Sequence, residues 1–161
     1  MKDKSSKLKA QSEKTKTSSL TIALPKGRVM KEALKLLAKI GITPPEPMEE
    51  SRKLIFEDKN NGLRFLIVKP TDVPTYVEYG SADLGIAGKD VLLEQGRDIY
   101  EPLDLKIGRC RMMVAEPKTL SAKDDPSQWT SIRVATKYRN IKERYFASKG
   151  IQAELFKLYG S

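Results

Sequence analysis

Residues 70–94 constrain this chain more than any other stretch, because they enclose a short apolar strand between two helix starts. Thr71 or Asp72 stands where a helix cap belongs, and Pro74 is tolerated in the first turn, where its missing amide would have no partner anyway. Gly80 ends that helix. Asp83–Ala87 then reads as a short buried strand, and Gly88-Lys89-Asp90 opens the next helix. A glycine at a strand-to-helix corner lets a ligand come close to the backbone, and the free N–H groups there favour an anion. Corners of this kind line small-molecule sites at the edge of open α/β sheets.

The rest of the chain repeats the pattern. Leu20–Leu24 is a strand stopped by Pro25, and Val29–Ile40 carries a wide apolar stripe at helical spacing with Gly41 as its stop. Pro44, Pro45 and Pro47 stiffen the next connection. Leu54–Asp58 and Leu63–Lys69 read as two strands about the Asn60-Asn61-Gly62 turn, an Asn-Gly hairpin signal. Leu105–Glu116 reads as a long crossing strand. A polar loop follows over 117–131, in which Trp129 is expected to act as an anchor. Ile132–Thr136 is a strand, Asn140–Ser148 a helix ended by Gly150, and Ala153–Leu158 a strand. Such alternation predicts an α/β fold with a largely parallel sheet.

Composition narrows the chemistry. The chain has 161 residues, no histidine and a single cysteine, Cys110. That excludes imidazole general bases, His-based triads, ordinary zinc sites and an intrachain disulfide. Catalysis has to run on arginine, lysine, carboxylates, backbone amides and a borrowed metal. Of the net charge of +9, +4 sits in residues 1–19, which carry six lysines against Asp3 and Glu13 and no aromatic residue. That composition is expected to be a disordered basic arm rather than a nucleic-acid site. No apolar run is long enough to span a membrane, and residues 1–19 lack the apolar core of a signal peptide, so a cytoplasmic location is expected.

Three segments together carry a family resemblance: Leu20-Thr-Ile-Ala-Leu-Pro-Lys-Gly-Arg28, Glu50-Ser-Arg-Lys-Leu54 and residues 70–94. With Lys106–Val114, Ile132–Tyr138 and Lys157–Ser161 following in order, the chain from about residue 20 onward resembles the catalytic subunit of ATP phosphoribosyltransferase, closer to its short form. The resemblance implies a two-lobed α/β fold like the class II periplasmic binding proteins, each lobe a mostly parallel sheet flanked by helices. On that basis the expected division is residues 1–19 as arm, 20–104 as first lobe, and 105–161 as crossing strand and an incomplete second lobe. It also implies the reaction: transfer of the phosphoribosyl group of phosphoribosyl pyrophosphate to N1 of ATP, with Mg²⁺ on the pyrophosphate and no metal site of the protein's own. A homodimer and a histidyl-tRNA-synthetase-like regulatory subunit are the implied partners. The family's loop for the ribose 5-phosphate lies beyond Ser161, so residues 1–161 are expected to lack transfer activity; a nucleotide- or anion-binding module without turnover is the alternative reading.

The candidate residues follow. Lys26, Gly27 and Arg28 lie between a strand and a helix, where a guanidinium grips two phosphate oxygens and glycine admits the backbone; two solvated cations are the alternative. Arg52 beside Lys53 reads as ordinary surface until the Ser-Arg-Lys-Leu match implies a substrate-binding arginine. Arg28 and Arg52 are thus the expected catalytic cations for the leaving pyrophosphate. Thr71, Asp72, Gly88, Lys89 and Asp90 flank helix starts and are expected to contact phosphate or ribose, with helix capping the alternative for both aspartates. Cys110 is expected to pack in the cleft, with Arg109 and Arg111 pointing the other way along the crossing strand. Lys137 and Tyr138 follow the later strand and are expected to touch ligand.

Overall fold

The computed structural model describes residues 19–49, 51–121 and 125–158; most of the basic arm, Glu50 and the last three residues of the Lys157–Ser161 match lie outside that range. Four strands form the first sheet: β1 (Leu20–Pro25), β2 (Ile55–Asp58), β3 (Leu63–Val68) and β4 (Leu84–Gly85), in the order β2-β3-β1-β4. β1 runs parallel to both β3 and β4, and β2 is antiparallel to β3 through the predicted Asn-Gly hairpin. Gly62 sits at φ +62°, the left-handed conformation that turn demands. Phe56 and Phe65 stand directly opposite in the ladder and are fully buried, each worth about 1.5–3 kcal/mol of apolar burial. On the other face of the hairpin, Glu57 and Arg64 pair at 3.4 Å in solvent.

Helices cover the two faces of this sheet. α1 (Arg28–Lys39) lays Met30, Ala33, Leu34 and Leu37 on Ile22, Leu24, Phe65 and Ile67. α2 (Val73–Glu78) packs Val73 and Val77 on Ala23, the alternate residue of β1. Because strand side chains alternate, β1 divides its residues between two cores. α3 (Lys89–Gln95) follows β4, and a short α4 (Lys118–Ser121) and one 3₁₀ turn (Pro126–Gln128) occupy the polar loop. The second sheet pairs β5 (Ser131–Thr136) with β6 (Gln152–Lys157) in parallel, joined by α5 (Arg139–Ala147). Among the described residues no helix is long and apolar enough to cross a membrane.

Two expectations are corrected. The strand predicted as buried over Asp83–Ala87 forms a regular ladder only at Leu84–Gly85, and Leu84 is 46% exposed. β4 is an edge strand, with no strand beyond it among the described residues. Its pairing is extended by Asp83, whose amide donates to the Thr21 carbonyl (2.9 Å) and whose carboxylate accepts the Thr21 amide (2.7 Å). The crossing strand predicted over Leu105–Glu116 does not form. Lys106 and Gly108 adopt left-handed φ of +56° and +57°, which breaks the pleat. Their amides go to the Asp104 and Glu32 carboxylates, both at 2.8 Å, instead of to a neighbouring strand. Ile107 between them packs against the first core, which ties the segment to α1.

Candidate functional site

The parallel strands β1, β3 and β4 end on one edge of the first sheet, and the chain leaves β1 and β3 for helices on opposite faces. A crevice opens outside the carboxyl ends of strands at such a switch point. Lys26, Gly27 and Arg28 follow β1, the strand between β3 and β4. Gly27 holds φ +113°, which an L side chain adopts only under strain, and it leads into α1 with Arg28 as the first helical residue. The Lys26 amide donates to the Val68 carbonyl at 2.8 Å, which fastens this corner to the end of β3. Lys26 and Arg28 are exposed and have no carboxylate partner among the described residues.

Thr71 and Asp72 follow β3 to the same edge. Asp72 occupies the N-cap position of α2, yet its carboxylate accepts the Thr71 hydroxyl (3.2 Å) and no amide of the helix. Side-chain capping, one of the two readings of these residues, is therefore not what they do. Arg52 and Lys53 reach this edge by a different route. Since β2 runs antiparallel to β3, its beginning lies beside the end of β3, where the Ile67 amide donates to the Leu54 carbonyl at 2.8 Å. Arg52 is exposed and has no ion-pair partner among the described residues, whereas Lys53 is held by Glu46 at 2.7 Å.

Gly88, Lys89 and Asp90 follow β4 and begin α3. Lys89 pairs with Glu101 at 2.6 Å in solvent, a bond worth at most about 1 kcal/mol. Asp90 does not cap its own helix: its carboxylate accepts the Tyr138 hydroxyl at 2.5 Å. Tyr138 and Lys137 belong to the loop after β5, and Lys137 Nζ lies 4.8 Å from the centre of the Tyr138 ring. Burial pushes the Tyr138 phenol far above its ordinary value, reinforced by the accepting Asp90 carboxylate, so the group is a neutral donor. Cys110 is exposed on the irregular segment after Gly108, not packed, and without a strand the alternation expected of Arg109 and Arg111 has no basis. Trp129 lines a concavity with Tyr145, Phe146 and Ile151 beside the C-terminal half of α5.

The sequence reading missed three residues. Asp83 extends β4, Glu32 binds the Gly108 amide, and the Glu94 carboxylate accepts the amides of Asn140 (3.0 Å) and Ile141 (3.1 Å). Only Asp83 left a local trace, as the acidic residue opening an apolar strand; the partners of Glu32 and Glu94 are 76 and 46–47 positions away. Among the described residues no three His, Cys, Asp or Glu side chains gather as a metal site.

A family model described as ATP phosphoribosyltransferase matches residues 69–161, more than half of the chain. The ATP phosphoribosyltransferase of Syntrophotalea carbinolica is 64% identical over 142 residues, covering 88% of this chain and 65% of its own. ATP phosphoribosyltransferase 2 of Geobacter sulfurreducens is 61% identical over 145 residues, covering 90% of this chain and 68% of its own. Among solved structures, the ATP phosphoribosyl transferase (HisG:HisZ) complex from Thermotoga maritima matches with a TM-score of 0.62 and 31% identity, over 88% of this chain and 65% of that chain. The chain thus spans 65–68% of the length of these two curated relatives. With the family model over most of its length and such identity to both relatives, the chain belongs to the ATP phosphoribosyltransferase family.

Proposed function

We propose that this chain carries the catalytic cations of an ATP phosphoribosyltransferase, which joins N1 of ATP to C1 of phosphoribosyl pyrophosphate and expels pyrophosphate in the first step of histidine biosynthesis. The observation that carries the reading is the corner at Lys26–Arg28: two cations without carboxylate partners among the described residues, at the carboxyl end of β1, with Arg52 brought to the same edge. In the transition state negative charge gathers on the departing pyrophosphate while the ribose becomes oxocarbenium-like. Preorganised cations and amides aimed at that charge lower the barrier. Arg28 and Arg52 supply planar forks for its oxygens, Lys26 a point charge, and Gly27 and Gly88 close backbone approach. Lys53 and Lys89 join by leaving exposed carboxylates at little cost. Thr71 and the half-buried Asp72 hydrogen-bond ribose or phosphate from the end of β3; Asp90, Lys137, Tyr138 and Cys110 border the nucleotide.

The donor set fits a magnesium ion carried on the pyrophosphate rather than one held by a protein cage, since such an ion needs only one or two carboxylates and Asp72 stands at that edge. When bound, Mg²⁺ withdraws charge from the leaving group. The same reading includes a two-lobed fold like the class II periplasmic binding proteins, divided at residues 1–19, 20–104 and 105–161, and a cytoplasmic location. It includes a homodimer and, by analogy with the HisG:HisZ complex from Thermotoga maritima, a regulatory partner subunit. In a polypeptide of the relatives' full length, Arg28→Ala and Arg52→Ala should each cut pyrophosphate release in saturating substrates by ~10²–10³. Arg→Lys should restore only part of the loss, because a point charge lacks the guanidinium fork. Near-normal turnover in both alanine variants would overturn the assignment.

A further inference from the structure

We propose that Glu94 is a positioning residue, which by capping α5 from the end of α3 holds the Thr136–Asn140 loop against the candidate site. Its carboxylate accepts the amides of Asn140 at 3.0 Å and Ile141 at 3.1 Å, two of the N–H groups that a helix start cannot satisfy internally. The exchange is mutual. The carbonyls of Leu93 and Glu94, left open at the end of α3, accept the Arg144 guanidinium and the Asn140 side-chain amide, the latter at 2.6 Å. A negative residue in the last turn of its own helix opposes the local dipole, but the same charge favours the N-terminus of α5. Tyr138, bonded to Asp90, stands two residues before Asn140, so the cap sets where Lys137 and Tyr138 stand relative to Gly88 and Asp90.

That the positioned loop borders a nucleotide rests on the phosphoribosyltransferase reading; the junction itself does not. The test therefore has a readout independent of ligand. In a Cys110→Ser background, spin labels at Lys59→Cys and Lys149→Cys report the distance between the first hairpin and the end of α5. Glu94→Ala should broaden or shift that distribution, and amide exchange at Asn140 and Ile141 should accelerate about tenfold or more while β5 amides stay protected. Glu94→Gln, which keeps the shape and one acceptor, should restore part of both. An unchanged distance distribution and unchanged exchange in Glu94→Ala would overturn the proposal. If that variant does not fold, Glu94→Gln decides alone: faster exchange confined to Asn140 and Ile141 supports the proposal, and wild-type exchange there overturns it. Titration of MgATP into the unlabelled wild-type chain is scored separately, and its failure would count against the nucleotide reading alone.

Discussion

Gly85 offers the sharpest test of how the site edge is built. It is the second residue of β4, directly under α2, and a Cβ there would stand 2.7 Å from Val73 Cγ1 and 2.8 Å from Val77 Cγ2. Ordinary carbon contacts lie at about 3.5–4.0 Å, so Gly85→Ala forces two overlaps of roughly an ångström. Neither valine can rotate away cheaply, since β-branched side chains in a helix have one strongly preferred χ1. Val73 is also fully buried, which leaves helix displacement as the relief. Overpacking of this kind costs about 2–3 kcal/mol. For a chain of this length that lowers Tm by roughly 5–10 °C. Urea and thermal melts followed by far-UV circular dichroism would measure it. The half-buried Val77 provides the control: Val77→Ala alone should cost about 1 kcal/mol. Combined with Gly85→Ala it should fall short of additivity by about 1 kcal/mol, because one overlap is removed. A Gly85→Ala chain within ~0.5 kcal/mol of wild type, or strict additivity in the double variant, would show that α2 does not sit on β4 as described.

Two further outcomes are expected. Hydrogen bonds from Asn61, its side chain foremost, and from the Asn60 amide hold the Asp58 carboxyl below its ordinary value. The unfolded chain binds that proton more readily, so the stabilisation is present above the unfolded pKa of about 4 and is lost as pH falls through the lower native value. Acid titration of the urea midpoint should show this loss, and Asp58→Asn should lessen it; an unaltered acid limb would refute it. Lys142 is buried, with Nζ donating to the Ala153 carbonyl at 2.7 Å and its stem lying between α5 and β6. Lys142→Ala should cost about 2 kcal/mol in a denaturant melt and Lys142→Met clearly less, because methionine keeps the stem; equal losses would mean the stem contributes nothing.

Much of the fold was legible because its signals are local. The apolar stripe of α1 ending at Gly41, the Asn-Gly turn between β2 and β3, Pro74 in the first turn of α2 and the glycine corners at Gly27 and Gly88 each need only a few neighbouring residues to be read. Those signals also pointed to Lys26, Gly27 and Arg28, because a glycine between a strand and a helix marks a corner, though two solvated cations fitted the same residues; the positive φ of Gly27 came only with the structure. What they could not supply was any pairing across the chain. A run such as Leu105–Glu116 becomes a strand only if a neighbour accepts its ladder, and here side-chain carboxylates take the amides at its start. Arg52 came to the same edge as Arg28 because β2 is antiparallel, a fact of register and not of composition. Glu94 carries no local sign of its role, since the amides it satisfies belong to a helix that begins 45 residues later. Local sequence fixes conformational preference within a turn or two; which groups satisfy one another over longer separations is decided only when the chain packs.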